Sequence, residues 1–337
     1  MSSYFSNDTD ILIIDATFTA DFIFGTIWIN FCLVFVGSVA NVINCVIFSK
    51  HGFKDTVNIS LFALAVSDLC SLLPLVWHGL LVDPRFLGTN VDFIGAEVQF
   101  LSAGWPHTIF TKVTSWVTAF IMFERCLCIA IPLKVKTVLT TSRVKLCLVS
   151  IYVIVLAGVV PTYATHSIGW KFYPEYNRSL VGLKLTENSW EVTKISNVIN
   201  NPLSSFSSFG LVLFCTVIIT IQLNRKTKWR EGTSTTGSGD KGSNSSKDRR
   251  AVKMVTVVSV IFLVSVTPSI IVVIVSVKEF EFTLTGKYRN LFYVAYSITF
   301  VLEALNSSVN ILVYYNMNSR YRKTFKNMFY FNGTKTV

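Results

Sequence analysis

The chain has 337 residues and a mass of 37.8 kDa; 51% of it is apolar, 15% is charged, and its mean hydropathy is +0.53. A soluble fold needs roughly a quarter of its residues charged to solvate its surface, so a cytosolic enzyme, a secreted disulfide scaffold and a disordered polar chain are excluded. The net charge of +11 must then reflect where basic residues stand along a membrane chain, and no nucleic-acid partner is expected.

A membrane-spanning helix takes about 20 mostly apolar residues. Residues 22–49, 146–170, 195–224 and 254–277 contain no Asp, Glu, Lys or Arg; 56–82, 98–123 and 290–316 each contain one, namely Asp68, Lys112 and Glu303. In chain order this predicts helices near 23–48, 57–82, 98–128, 145–166, 197–223, 251–277 and 289–315, with Asn200-Asn201-Pro202 interrupting the start of the fifth. The fold class is an all-α membrane protein, a seven-helix bundle, and its localisation is the cell membrane as a multi-pass protein. No internal repeat is visible, which gives no support to a duplicated transporter.

No basic residue precedes Lys50, whereas Asp8, Asp10, Asp15 and Asp21 do. With the loops numbered alternately, Lys and Arg collect on the side opposite the N-terminus, and the positive-inside rule places the N-terminus outside and the C-terminus inside. The expected division is an extracellular segment 1–22, a bundle 23–315 with a flexible third inner loop 225–250, and a tail 316–337. The first span is expected to act as its own insertion signal. Of the Asn-x-Ser/Thr sequons, those at Asn7 and Asn177 fall outside and are candidate glycan sites. The seven cysteines lie in or beside spans, so no extracellular disulfide is expected.

Polar groups in hydrocarbon are costly unless they face the bundle interior. In the seventh span Glu303, Asn306, Ser307, Asn310 and Tyr314 recur every three or four residues, one helical stripe. His107, Thr111, Thr114, Thr118 and Arg125 form another in the third span, while Asp68 and Asn41 stand alone in the second and first. Together these make a polar column through the bundle. Hydrogen bonds that only fasten helices together are the competing reading.

The motifs are Leu64-Ala-Val-Ser-Asp68-Leu, Glu124-Arg125-Cys126 with Pro132-Leu133, Phe262 ahead of Pro268, Asn310-Ile-Leu-Val-Tyr314, and Gly37 with Asn41. In this order, on these spans, the chain resembles a rhodopsin-family (class A) G-protein-coupled receptor. Residues 123–136 are similar to chemosensory-type receptors of gastropod molluscs and to some invertebrate peptide receptors. The resemblance implies that Asp68, with Thr114, Asn306, Ser307 and Asn310, holds an allosteric sodium ion, the one cofactor expected; oxygen ligands suit such a hard cation. It implies that Glu124 pairs with Arg125 at rest, and that Arg125 turns to a heterotrimeric G protein on activation. Phe262, Pro268, Asn310 and Tyr314 then belong to the moving switch.

The chain departs from that family in several places. Phe100 stands where the family's disulfide cysteine is expected, and residues 167–196 contain no Cys, so Trp170, Phe172, Tyr173 and Trp190 are expected to hold the outer lid. Val266 replaces the toggle tryptophan, Ile311 the seventh-span proline, and the fifth span has no Tyr to partner Tyr314.

The outer half of the bundle is the expected ligand pocket, with His107, Thr111, Glu303, Trp105, Phe292 and Tyr296 as its candidate residues. Glu303 has two readings. It anchors a cationic ligand (an amine, a guanidinium or an amidated peptide), or it is held by an internal partner such as His107. On the inner side the Gly/Ser/Thr-rich run 232–246 between basic ends is a flexible linker offering sites to a receptor kinase and arrestin. Tyr321, Phe325, Met328 and Phe329, with Arg320, Arg322, Lys323 and Lys326 among them, make a short amphipathic helix for the inner face of the lipid bilayer. A retinal protein needs a Lys in the seventh span, and none lies between Arg289 and Arg320. No enzyme motif appears, so catalysis is not expected; a multispan transporter or channel is the alternative.

Overall fold

The computed structural model describes residues 15–83, 91–131, 134–233, 242–279, 281–282 and 286–329. The candidate glycan site Asn7 lies outside these. Seven helices are long and apolar enough to cross a membrane: Thr17–His51, Thr56–Val82, Gly95–Ala130, Thr141–Thr165, Lys194–Gln222, Val252–Lys278 and Arg289–Met317. They are the seven predicted spans. A short amphipathic helix, Ser319–Phe329, follows the seventh.

Local chemistry sets the ends. The Asp15 carboxylate accepts hydrogen bonds from the Thr17 and Phe18 N–H groups at 3.0 and 3.3 Å, which starts the first helix (Ala16–His51) ahead of the apolar run. Gly52 ends it at φ +79°, a backbone conformation open to glycine. Asp55 caps the second helix through the Val57 N–H. The third span is two α segments, Gly95–Gln99 and Trp105–Ala130, joined by a π turn at Phe100–Gly104. Pro106 has no N–H to donate one turn back, and the widened turn before it absorbs the missing bond.

The fifth span behaves alike. Its Asn200-Asn201-Pro202 interruption is a π turn, Ile199–Leu203, between Ser189–Val198 and Ser204–Thr233. Asn200 uses its amide there, donating to the Gly158 carbonyl at 2.8 Å across to the fourth span. Helix continues from the fifth span to Thr233 and resumes at Gly242, so both ends of the expected linker 225–250 are helical. The rest of its Gly/Ser/Thr run lies outside the described residues.

The connection after the fourth span is a β-hairpin, β1 (His166–Tyr173) and β2 (Arg178–Leu185), antiparallel with Gly169 opposite Gly182. Asn177 sits exposed at its tip with φ +47°, which Asn tolerates better than most residues. The hairpin is docked on the start of the third span. Ile94 donates its N–H to the Val181 carbonyl at 2.9 Å, and Val181 returns one to Asp92 at 2.7 Å. Glu97 then takes two bonds on one oxygen: the Tyr173 hydroxyl donates to Oε2 at 2.6 Å and the Leu183 N–H at 2.7 Å. Gly182 makes the approach sterically open, because a Cβ there would lie 1.8 Å from Tyr173 Oη and 2.6 Å from Glu97 Oε2.

All seven cysteines are free. The expectation that Trp170 and Phe172 hold the lid is corrected: they stand 59% and 56% exposed, on the side of the hairpin away from the latch. Tyr173 does take part, through its hydroxyl more than its ring. The side chain of Trp190 lies outside the described residues.

The first span packs on the second and seventh, the third on the second and fifth, and the sixth on the seventh. Gly37 lets the first and seventh approach, since a Cβ on it would meet Ser308 Oγ at 2.1 Å; the Ser308 hydroxyl donates to the Ala304 carbonyl at 2.6 Å and lies 3.1 Å from the Leu33 carbonyl of the first span. Below the polar centre, Ile47, Phe48, Leu64, Val117, Ile121, Met122, Phe262 and Tyr314 share one buried apolar core.

Candidate functional site: a polar column through the bundle

The column begins on the hairpin side with His107. Its Nδ1 lies 2.8 Å from the Ser71 carbonyl of the second span, and its Nε2 lies 3.1 Å from Glu303 Oε2 of the seventh. The other Glu303 oxygen accepts from the Ser269 hydroxyl of the sixth span at 2.7 Å. Four spans therefore meet at one buried imidazole–carboxylate pair, and of the two readings of Glu303 the geometry has the internal partner. Phe300 packs edge-on to His107 at 5.1 Å, and above it Tyr296 and Phe292 continue an aromatic ladder with centroids 6.3 and 4.3 Å apart. Thr111 turns its hydroxyl to its own helix, donating to the His107 carbonyl at 2.9 Å. Lys112, one position on, donates to the Ser205 hydroxyl of the fifth span.

Trp105 does not join this group. It is 6% exposed and packs with Phe100, Leu101, Ile109 and Val159 toward the fourth span. Two residues of helix are about 200° of turn, which carries it to the face opposite His107.

One turn deeper lies Asp68, fully buried. Its Oδ1 accepts from the Thr114 and Ser307 hydroxyls at 3.0 and 3.2 Å, and its Oδ2 from the Asn310 amide at 2.8 Å. Ser71 joins the two levels: its carbonyl faces His107, while its hydroxyl donates to the Asp68 carbonyl at 2.8 Å and lies 3.4 Å from Ser307 Oγ. Of the five residues expected around sodium, Asn306 is the one with no described bond to Asp68; it stands about 100° around the helix from Ser307. The remaining set, a carboxylate ringed by two hydroxyls and an amide, fits a hard monovalent cation by donor chemistry.

From here the column runs toward the short terminal helix. Asn41 donates to the Ser307 and Gly37 carbonyls at 2.7 and 3.0 Å, Asn44 donates to Asn41 Oδ1 at 3.2 Å, and the Tyr321 hydroxyl donates to Asn44 Oδ1 at 2.6 Å. Tyr314 is buried between Phe48 and Tyr321, with ring centroids 5.3 and 5.8 Å away, and its hydroxyl has no partner. This agrees with a fifth span that carries no Tyr to meet it. Burial raises the Tyr321 hydroxyl above the ordinary tyrosine value, so it stays a donor at neutral pH.

At the far end Glu124 and Arg125 are both buried. The expected pair is not formed. Among the described residues no ion pair joins them, because Glu124 Oε2 is taken by the Ser60 hydroxyl of the second span at 2.8 Å. Among the described residues Glu124 Oε1 and Arg125 Nε have no partner. Phe262 is buried in the core beside this end, and Pro268 lies within the sixth helix next to Ser269, whose bond to Glu303 ties that helix to the column.

Sequence reasoning missed Ser60, Ser71, Ser269, Asn44 and the Glu97 latch. It also missed Tyr152, whose hydroxyl donates to the Ala63 carbonyl at 2.7 Å and ties the fourth span to the second. A tyrosine in a charge-free span is the one signal that pointed to the last.

The family model for the serpentine type 7TM GPCR chemoreceptor Srw matches residues 28–332. Among curated proteins, the growth hormone secretagogue receptor type 1 of Mus musculus is 26% identical over 306 residues, covering 86% of this chain and 76% of that receptor. The Homo sapiens receptor of the same name is 26% identical over 313 residues, with the same two coverages. The neuromedin-U receptor 2 of Mus musculus is 26% identical over 305 residues, covering 88% and 73%. Seven membrane-crossing helices threaded by one polar column, matched over most of their length by receptors, make this chain a member of the serpentine 7TM chemoreceptor family Srw: a rhodopsin-type G-protein-coupled receptor of the cell membrane, and not an enzyme.

Proposed function

We propose that the column carries a signal from an extracellular ligand at the hairpin end to a heterotrimeric G protein at the inner end of the bundle, where Arg125 stands. The supporting observation is the unbroken sequence of polar contacts His107–Ser71–Asp68/Ser307–Asn41–Asn44–Tyr321, with Glu303 and Ser269 joining the seventh and sixth spans to its top. A ligand that competes for Glu303 or Ser269 releases the sixth span, which bends about Pro268. Sodium at Asp68 favours the resting arrangement, because its ligands come from both the second and the seventh spans. The hairpin end faces outside, where Asn177 at the exposed tip accepts a glycan. The terminal helix rests on the anionic inner leaflet through Arg320, Arg322, Lys323 and Lys326, and the Gly/Ser/Thr-rich run 232–246 receives kinase phosphates that recruit arrestin. The ligand is a chemosensory compound or a small signalling peptide, in line with the family description and the names of the peptide receptors above.

Arg125 is the residue to test. Among the described residues the Arg125 guanidinium has no carboxylate partner, which leaves it able to contact a G protein. Nucleotide exchange on purified G protein, catalysed by the receptor in nanodiscs, should fall at least tenfold in Arg125→Ala while hydrogen-exchange protection of the spans is unchanged. Undiminished exchange would contradict the proposal.

A further inference from the structure

We infer that the ligand of the outer half presents an acidic group and that Lys112 receives it; this rests on the outer half being the ligand site. The inference follows from counting protons. The Ser71 carbonyl is an acceptor only, so the His107 Nδ1 beside it carries hydrogen. His107 Nε2 and Glu303 Oε2, 3.1 Å apart, then share one proton: either imidazolium faces carboxylate or neutral imidazole faces carboxylic acid. In both forms the pair is neutral overall. A third form, with neither group protonated at that contact, would set two lone pairs against each other. The second Glu303 oxygen is already taken by Ser269. Glu303 therefore has no charge left over for a cationic ligand.

Lys112 does have one. It stands one position past Thr111 on the third span and is only partly exposed. Among the described residues its ammonium group has no carboxylate within 4.0 Å, and its one described hydrogen bond goes to the neutral Ser205 hydroxyl. An ammonium has three N–H donors, and a charge in low dielectric requires a counter-charge. His78, the other ionisable group near His107, is occupied by Gln99 at 3.0 Å and supplies no anion. Among the described residues no counter-charge stands within 4.0 Å of this ammonium group. Trp116, one turn below Lys112, donates its indole N–H to Ser204 at 3.0 Å, next in sequence to the Ser205 that receives the ammonium. An organic carboxylate on an apolar body fits both features.

The test uses matched scaffolds, each as the carboxylic acid, the primary amide and the amine, together with short peptides with free and amidated C-termini. They are applied to cells expressing the full receptor and a promiscuous G protein. The acid form of an active scaffold should be about tenfold or more the more potent, the size of one charged hydrogen bond. That preference should vanish in Lys112→Gln and survive in Lys112→Arg and in Ser205→Ala, which removes the ammonium's hydroxyl partner and covers the case in which Lys112→Gln fails to reach the surface. Amides or amines equal to acids, an acid preference kept in Lys112→Gln, or no acid among the active compounds would each overturn the inference. So would a loss on replacing chloride with gluconate that matches the loss in Lys112→Gln, since it assigns the charge to an inorganic anion. Failure of the receptor reading looks different: the purified protein then promotes no nucleotide exchange with any compound.

Discussion

Glu97→Ala should release the outer hairpin. Hydrogen-exchange protection of the β2 amides around Leu183 is expected to fall about thirtyfold, or roughly 2 kcal/mol, because a carboxylate oxygen that accepts two bonds is lost and the Leu183 N–H is left without its partner. Gly182→Ala should do the same by a different route, since its Cβ would occupy the Tyr173 hydroxyl's position. Tyr173→Phe removes one of the two bonds and should show a smaller loss. Dithiothreitol should leave the wild-type hairpin unchanged, because its fastening contains no sulfur. The latch should also ignore pH through the neutral range. Burial first, then the hydrogen bond to Glu97 and its negative charge, raise the Tyr173 phenol above its ordinary value. A group whose folded value is raised contributes fully below its unfolded value, about pH 10 for tyrosine, and loses that contribution as the pH climbs toward the folded one. Above neutral pH, loosening is therefore expected only in strong alkali. Hairpin protection that is the same in Glu97→Ala as in wild type would show that the backbone pairing of Ile94 and Val181 suffices.

Asp68→Ala should be the most destabilising single change in the bundle. Asn310 would be left buried with an amide donor and no acceptor, while Thr114 and Ser307 would lose a charged acceptor and keep only Ser67 at 2.9 Å and Ser71 at 3.4 Å, at a cost on the order of 3 kcal/mol. Asp68→Asn preserves shape and keeps one acceptor oxygen, but it sets an amide against the Asn310 amide and removes the charge. Its cost should be smaller, and its diagnostic effect should be on cations. At constant ionic strength, exchanging N-methylglucamine for sodium should raise the unfolding temperature of wild type and leave Asp68→Asn unmoved. A sodium shift retained in Asp68→Asn would place the ion elsewhere.

The seven spans were legible because hydrocarbon leaves the backbone no other way to satisfy its own polar groups than helix, and apolar runs of that length with at most one charge match a membrane crossing. The inner stripe was legible for a related reason: Ser307 and Asn310 sit on one face with Tyr314, so Asp68 had one surface to meet. Ser60, Ser71 and Ser269 were not legible. A serine in a membrane helix bonds to its own carbonyls as readily as across helices, as Ser208 and Ser259 do here, and spacing does not separate the two. The Glu124–Arg125 pair failed because adjacency in sequence puts the side chains about 100° apart, and the nearby Ser60 hydroxyl offered Glu124 a better partner. Trp105 failed by the same geometry. The latch was hidden because half of it is a backbone N–H and the rest is a carboxylate and a phenol far apart in the chain.

The distance between the inner ends of the third and sixth spans tests the coupling of the two ends of the column most directly, and it requires no ligand. Spin labels at those ends, on a background with the reactive cysteines replaced, report the distance in nanodiscs by pulsed electron resonance. Ser269→Ala removes the bond that joins the sixth span to Glu303 near the other end of the column. We expect it to shift population toward longer distances, and a second substitution, Asp68→Asn, to enlarge the shift. Identical distance distributions in wild type and both variants would contradict the coupling.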